Sequence, residues 1–243
     1  AVSGNENVTI SIDGYEVTFG AVEDWNGVET LTFSVNDNQG RDIASDDVDV
    51  MVTPVNDAPV LTEIGVQETD EDVPLTIAIS SSDVDTPELS FSAESDNENV
   101  TVSASNDSLT MTPADDWHGT ASISVTVSDG SLTDSATFSL TVNPVNDAPV
   151  LAEISIQITN EDTPLLLTIE VMNVDEDELT FSAISDTNAV AVLIESTLLT
   201  LTPSENWYGN ATITVTVSDG SLADSTLFSL RVNSVNDIPV GYI

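Results

Sequence analysis

The residues best able to do chemistry are carboxylates and carboxamides that return at fixed places along the chain. Glu71-Asp72-Val73-Pro74 matches Glu161-Asp162-Thr163-Pro164, and Asp83-Val84-Asp85 matches Asn173-Val174-Asp175. Asp116-Trp117-His118-Gly119 matches Asn206-Trp207-Tyr208-Gly209, and Ser128-Asp129-Gly130-Ser131 matches Ser218-Asp219-Gly220-Ser221. Val55-Asn56-Asp57-Ala58-Pro59-Val60 returns as Val145-Asn146-Asp147-Ala148-Pro149-Val150 and, altered, as Val235-Asn236-Asp237-Ile238-Pro239-Val240. Each interval is 90 residues. Asp, Glu and Asn oxygens are hard ligands that suit Ca²⁺ over softer metals. In an extended stretch, Asp-x-Asp puts two carboxylates on one side, because the side-chain period is two. Two carboxylates ~5 Å apart at an effective dielectric of ~20 repel by ~3 kcal/mol. Four or more in one site would cost more than a small domain's folding free energy can bear. A cation is therefore expected wherever these marks converge. The plainer reading is that Asp and Asn form the turns, since their side chains cap nearby backbone and tolerate the left-handed region. Most of the remaining acid, including Asp46, Asp47 and Asp49, reads as a solvated surface.

Other chemistry is scarce. His118 is the only histidine, there is no cysteine, and Arg41 and Arg231 are the only basic side chains. No nucleophile–base pair can be assembled from this set. Paired carboxylates can hydrolyse glycosides from one cleft, but these recur in every repeat, so the chain is not read as an enzyme. A formal charge of −41 repels phosphate backbones and anionic lipid. Nucleic acid is thereby excluded as a partner. No apolar run is long enough for membrane insertion. Without disulfides, small domains need another brace, and a metal is the usual one.

The elements that must position the marks are strands. In Thr212-Ile213-Thr214-Val215-Thr216-Val217 the apolar residues alternate with threonine, and residues 30–35, 121–127 and 137–142 repeat the pattern. Ser-Asp-Gly and Asn-Asp signals separate these runs. About seven strands per full repeat fit an Ig-like sandwich, and one wet face argues for antiparallel sheets. Trp25, Trp117 and Trp207 recur at one place and read as core rather than as a sugar platform. The outward threonines read as β-propensity on a wet face. Residues 1–57 carry only the later marks, Asp24-Trp25-Asn26-Gly27 and Val35-Asn36-Asp37. They are expected to be an N-terminally truncated repeat, of about four strands; the alternative is a divergent short domain. Complete repeats are expected over 58–147 and 148–237, with 238–243 starting another.

Taken in register, the marks Glu-Asp-x-Pro, Asp-x-Asp, Asp-Trp-x-Gly, Ser-Asp-Gly-Ser and Val-Asn-Asp-Ala-Pro-Val resemble the cadherin-like repeats of giant bacterial secreted adhesins. They are also similar to the dystroglycan-type cadherin-like domain. The resemblance implies an all-β fold: tandem Ig-like/cadherin-like antiparallel β-sandwich repeats of about 90 residues in an elongated array. It also implies calcium at the junctions between repeats. Carried over residue by residue, the first junction takes Asp24, Asn56, Asp57, Asp83, Asp85 and Asp129. The second takes Glu71, Asp116, Asn146, Asp147, Asn173, Asp175 and Asp219. The linker is one polar position shorter than the usual cadherin Asp-x-Asn-Asp-Asn-x-Pro. The function implied is a calcium-binding extender of a bacterial cell-surface or secreted adhesin, with Ca²⁺ rigidifying the junctions. The alternatives are a calcium-dependent carbohydrate-binding module and a subunit of a polymeric extracellular fibre. Partners are then calcium ions, neighbouring repeats, and either other copies of the chain or a surface polysaccharide.

Overall fold

The computed structural model describes residues 2–3, 6–37, 39 and 42–236. The expected start of another repeat at 238–243 lies outside the described residues. The chain divides after Asn143 into two compact units. Among the described residues there is no helix, so none is long and apolar enough to cross a membrane.

The first unit opens with β1 (Val2–Ser3), β2 (Val8–Asp13), β3 (Glu16–Ala21), β4 (Gly27–Asn36) and β5 (Asp42–Val52). Strands β1, β4 and β5 form one sheet, and β2 and β3 form a hairpin. The sandwich that follows has nine strands. They are β6 (Val60–Leu61), β7 (Gln67–Asp70), β8 (Leu75–Ala78), β9 (Ser81–Ser82), β10 (Ser90–Ser95), β11 (Val100–Ser105), β12 (Ser108–Pro113), β13 (Gly119–Ser128) and β14 (Thr133–Asn143). One sheet runs β10-β13-β14-β7 and the other β11-β12-β8, with β6 paired to β9.

The second unit repeats this plan. Its strands are β15 (Val150–Leu151), β16 (Gln157–Asn160), β17 (Leu165–Thr168), β18 (Val171–Met172), β19 (Thr180–Ser185), β20 (Val190–Glu195), β21 (Leu198–Pro203), β22 (Gly209–Ser218) and β23 (Ala223–Asn233). The sheets are β16-β23-β22-β19 and β17-β21-β20.

Alternation builds both cores. Along β13, Ala121, Ile123, Val125 and Val127 are buried, with Ser and Thr between them facing out. Leu109 and Met111 on β12 and Leu140 on β14 complete the same cluster, and Leu199, Leu201, Ile213 and Leu230 do so in the second unit. Each such side chain contributes roughly 1.5–3 kcal/mol by leaving water.

Two expectations need correction. Each sandwich has nine strands rather than seven, because the two-residue pairs β6–β9 and β15–β18 are too short to show alternation. Among the described residues the opening stretch likewise has five strands rather than about four. The pairing is antiparallel except at one place per sandwich. Strand β7 runs parallel to β14, and β16 parallel to β23. There the early strand crosses to the far edge and meets the last strand running the same way, a topology that alternation does not report.

Trp117 and Trp207 pack against the cores, and the partner glycines show why the mark is Trp-x-Gly. Gly119 has φ +147°, and a Cβ there would sit 3.0 Å from the Trp117 ring; Gly27 and Trp25 repeat this geometry. Gly119→Ala is expected to destabilise its sandwich by ~1–3 kcal/mol, through strained backbone and a displaced ring. Urea unfolding measures this, and an alanine variant as stable as the parent would refute the role given to the glycine.

Candidate metal centre

Every candidate ligand lies in a loop or turn, and the strands bring these loops into two groups per sandwich. Ten-residue β13 separates them: Asp116 precedes its first residue and Asp129 follows its last.

In the first unit, the linker enters the sandwich beside the Ser-Asp-Gly turn. Asn56 Nδ2 donates to Asp129 Oδ2 at 2.7 Å, and the Asp57 amide donates to Asp85 Oδ2 at 2.8 Å. Asp129 Oδ1 accepts from the amides of Ser131 (2.6 Å) and Leu132 (2.7 Å). The Leu132 amide foremost, then Asn56 and the Ser131 amide, hold the Asp129 carboxyl below its ordinary value. Asp24, Asp57 and Asp85 line one cavity of about 260 Å³, together with Trp25 and the run from Val52 to Val55.

The Asp-x-Asp mark is a bend rather than an extended stretch. Asp83 Oδ1 accepts from the amides of Asp85 (2.8 Å) and Thr86 (2.7 Å), as Asp does when it caps its own turn. Its other oxygen, Oδ2, is buried without a hydrogen-bond partner among the described residues.

The second unit repeats this end. Asn146 Nδ2 donates to Asp219 Oδ2 at 3.0 Å, and the Asp147 amide donates to Asp175 Oδ2 at 2.7 Å. Asp219 is lowered by the Leu222 amide first, then by Asn146 and the Ser221 amide. Asn173 donates through Nδ2 to the Asp177 carbonyl at 3.2 Å, while its Oδ1 is buried without a hydrogen-bond partner.

The opposite end of each sandwich carries the Glu-Asp mark. Glu71 is 3% exposed, its amide donates to the Asn143 carbonyl, and its carboxylate lies 3.6 Å from His118 Nδ1. The Asp116 amide donates to Asp72 Oδ1 at 3.0 Å. Asp72 and Asp116 both have positive φ, near +60°, which Asp and Asn adopt more readily than most residues. Asp162 and Asn206 repeat the arrangement.

These donors fit Ca²⁺. All are oxygens, several are carboxylates, and one oxygen of Asp83 and one of Asn173 are sheltered from water with no proton donor. Such an atom costs free energy unless a partner meets it. That the two occupy equivalent positions in separate units makes an accident of side-chain placement a poor account.

Sequence reasoning passed over three residues that hold these ends together. Leu61 and Leu151 amides donate to Asp134 Oδ2 and Asp224 Oδ2, each at 2.8 Å, and Glu161 Oε1 accepts from the Val235 amide. Glu161 is as buried as Glu71. The 90-residue interval pairs Asp134 with Asp224 and Glu71 with Glu161, and was the signal available for them.

A family model described as a cadherin-like domain matches residues 55–143 and again residues 145–233. The chain belongs to the cadherin-like domain family. Its cadherin-like repeats are similar to mouse protocadherin-24 EC1-3 at 16% identity and TM-score 0.49, covering 96% of this chain and 89% of that one. Human protocadherin-24 EC1-2 gives 17% and 0.48, covering 73% and 100%. The endo-fucoidan hydrolase MfFcnA4 gives 17% and 0.35, and the chain spans only 39% of its length. No curated protein matches the sequence. Domains of this family are typically extracellular, non-enzymatic and calcium-binding, and in tandem they make up adhesion-type segments.

Proposed function

We propose that this chain is a calcium-binding extender segment of a large bacterial cell-surface or secreted adhesin, built from cadherin-like repeats over 58–147 and 148–237 after a partial one over 1–57. The observation that carries the calcium reading is the buried, partnerless oxygen at Asp83 and again at Asn173. Each sits beside a linker Asn-Asp already tied to its sandwich by two hydrogen bonds. A cation held by Asp57, Asp83 and Asp85, or by Asp147, Asn173 and Asp175, would fix the direction in which each linker leaves the repeat that follows it. Asp129 and Asp219 support the linker amides, and Asp24 adds a carboxylate to the first set. Glu71 and Asp116 are the candidates at the C-terminal end of the middle repeat.

The work proposed is mechanical, with calcium turning flexible linkers into stiff ones. Extracellular calcium modules bind at ~10⁻⁴–10⁻³ M. Small-angle scattering should therefore show a longer, better-defined particle in millimolar calcium than in EDTA. An unchanged maximum dimension would sink the calcium-joint model. Glycan binding without a change in shape would favour a carbohydrate-binding module instead.

A further inference from the structure

The corner of the third repeat where β22 begins and β23 ends differs from the same corner of the middle repeat in charge and in hydrogen bonding. The middle repeat has His118, Thr120, Thr141 and Asn143 there, with Glu68 and Asp70 on the adjoining β7. The third repeat has Tyr208, Asn210, Arg231 and Asn233, with Ile158 and Asn160 on β16. Two acids are gone and a guanidinium has arrived, in a chain with 43 acids against two basic side chains.

The new side chains are uncommitted. Arg231 is exposed and makes no ion pair or side-chain hydrogen bond among the described residues. In the middle repeat Asn143 Nδ2 donates to Asp70 Oδ1 at 3.2 Å. With Asn160 in place of that acid, Asn233 makes no side-chain hydrogen bond among the described residues. Asn210 is the cross-strand partner of Arg231, and Tyr208 beside it is 63% exposed. Tyr208, Asn210, Arg231 and Asn233 line one cleft of about 540 Å³, wholly within this sandwich. That is the size of a small-molecule cleft with a few convergent polar groups. The acids around it are engaged. Glu161 Oε1 accepts from the Val235 amide and Asp162 Oδ1 from the Asn206 amide. Asp186, beside β22 on the same face, accepts from the Thr212 amide, as Asp96 does from Ser122 in the middle repeat.

We infer that this cleft binds a pyranose bearing one anionic group, a carboxylate or a sulfate ester, on an otherwise neutral glycan. The guanidinium fork of Arg231 matches such a group through two parallel N–H donors. Tyr208 offers an apolar ring face to the C–H side of the sugar, with its hydroxyl left in water. The carboxamides of Asn210 and Asn233 both donate and accept, which suits sugar hydroxyls. A polyanion is repelled by the chain as a whole, but at physiological salt that repulsion acts mainly over ~8 Å. A single negative charge meets Arg231 at the place where two acids have been lost. The site uses no calcium, so its failure would leave the calcium-joint reading untouched.

The test is a ¹H–¹⁵N NMR titration of the full chain in EDTA, where calcium cannot bridge a ligand to the chain's acids. The probes are methyl glucuronide, glucose 6-sulfate, methyl glucoside and sodium acetate at constant ionic strength. Each is taken to about 50 mM, because one exposed ion pair gives weak binding. The expected result is a saturable shift of the Tyr208, Asn210 and Arg231 signals with a charged sugar. The better of the two charged sugars identifies the anionic group. Methyl glucoside and acetate should bind at least about tenfold more weakly, the loss of one charge-assisted pair or of the ring contacts. Arg231→Thr restores the middle repeat's own residue, so the fold should tolerate it, and it should weaken the charged sugar about as much. Tyr208→Ser should remove the preference for the charged sugar over acetate, whereas Tyr15→Ser, at another exposed tyrosine, should change nothing. Absence of a localised shift overturns the proposal. So does acetate or methyl glucoside binding as well as the charged sugars, or a folded Arg231→Thr chain that binds like the parent.

Discussion

Backbone amides of β2 to β5 are expected to exchange with solvent at least ~100-fold faster than those of β12 to β14 in the same chain. The reason is visible when the two stretches are aligned on their Asp-Trp-x-Gly marks. Leu109 and Met111 are fully buried in the middle repeat, where β8 pairs with β12 and places Ile77 and Leu75 opposite them. Their equivalents on β3 are Val17 and Phe19, and Phe19 is 41% exposed. Val127 is fully buried, whereas its equivalent Val35 is 64% exposed. Among the described residues no strand takes the place of β7 beside β5 or of β8 beside β3. Among the described residues of this stretch only Val8 and Leu31 are buried, although Phe19 and Phe33 meet edge to face at 6.3 Å. A sheet with one uncovered face and open edges has little to hold it closed. Hydrogen exchange read by mass spectrometry gives the answer strand by strand. Equal protection in a demonstrated monomer would mean that residues 1–57 form a complete short domain.

Much of the fold was legible because two periodicities coincide. Alternation within Thr212–Val217 and its relatives marked the strands, and the 90-residue interval marked the repeats. What stayed hidden has physical causes. Two-residue strands such as Val60–Leu61 are held by their short pairing with Ser81–Ser82 and by the Asp134 carboxylate, not by a pattern. The parallel strand β7 is defined by which edge the chain crosses to, a non-local choice. At the candidate centre, the loop positions of all the marked acids were legible, but the use of each oxygen was not. Asp83 spends Oδ1 on its own turn and leaves Oδ2 facing inward. Asp129 commits both oxygens, one to its turn and one to Asn56. The turn-former reading and the ligand reading are therefore not rivals at these positions. One oxygen shapes the loop, and at Asp83 that shaping aims the other.

Asp147→Ala is expected to abolish the tighter of two calcium-binding phases in calorimetry and to leave the fold of the middle repeat intact. Two phases are expected because the two linkers are unequally supplied. Asn173 stands where the first set has Asp83, which loses a unit of charge but keeps an oxygen donor. The resemblance assigns Glu71 to the second set, and residues 1–57 carry no Glu-Asp-x-Pro mark to supply its counterpart to the first, which loses both. The linker at 145–147 should therefore bind more tightly. In the proposed site Asp147 would contribute its side-chain carboxylate, whereas its bond to Asp175 Oδ2 comes from the backbone amide at 2.7 Å and survives the substitution. The variant thus removes a ligand without releasing the linker. At a calcium concentration ten times the dissociation constant, binding stabilises the parent by ~1.4 kcal/mol, and the variant should lose that increment. In EDTA the sign reverses. Removing a carboxylate from a metal-free cluster relieves repulsion that amounts to ~1–3 kcal/mol per close pair at an effective dielectric of ~20 or higher. The variant should then be at least as stable as the parent. Thermal melts of both proteins with and without calcium read the crossing. If Asp147→Ala titrates with calcium as the parent does, and its melt shows no such reversal, then Asp147 is a turn residue and the tighter site lies elsewhere.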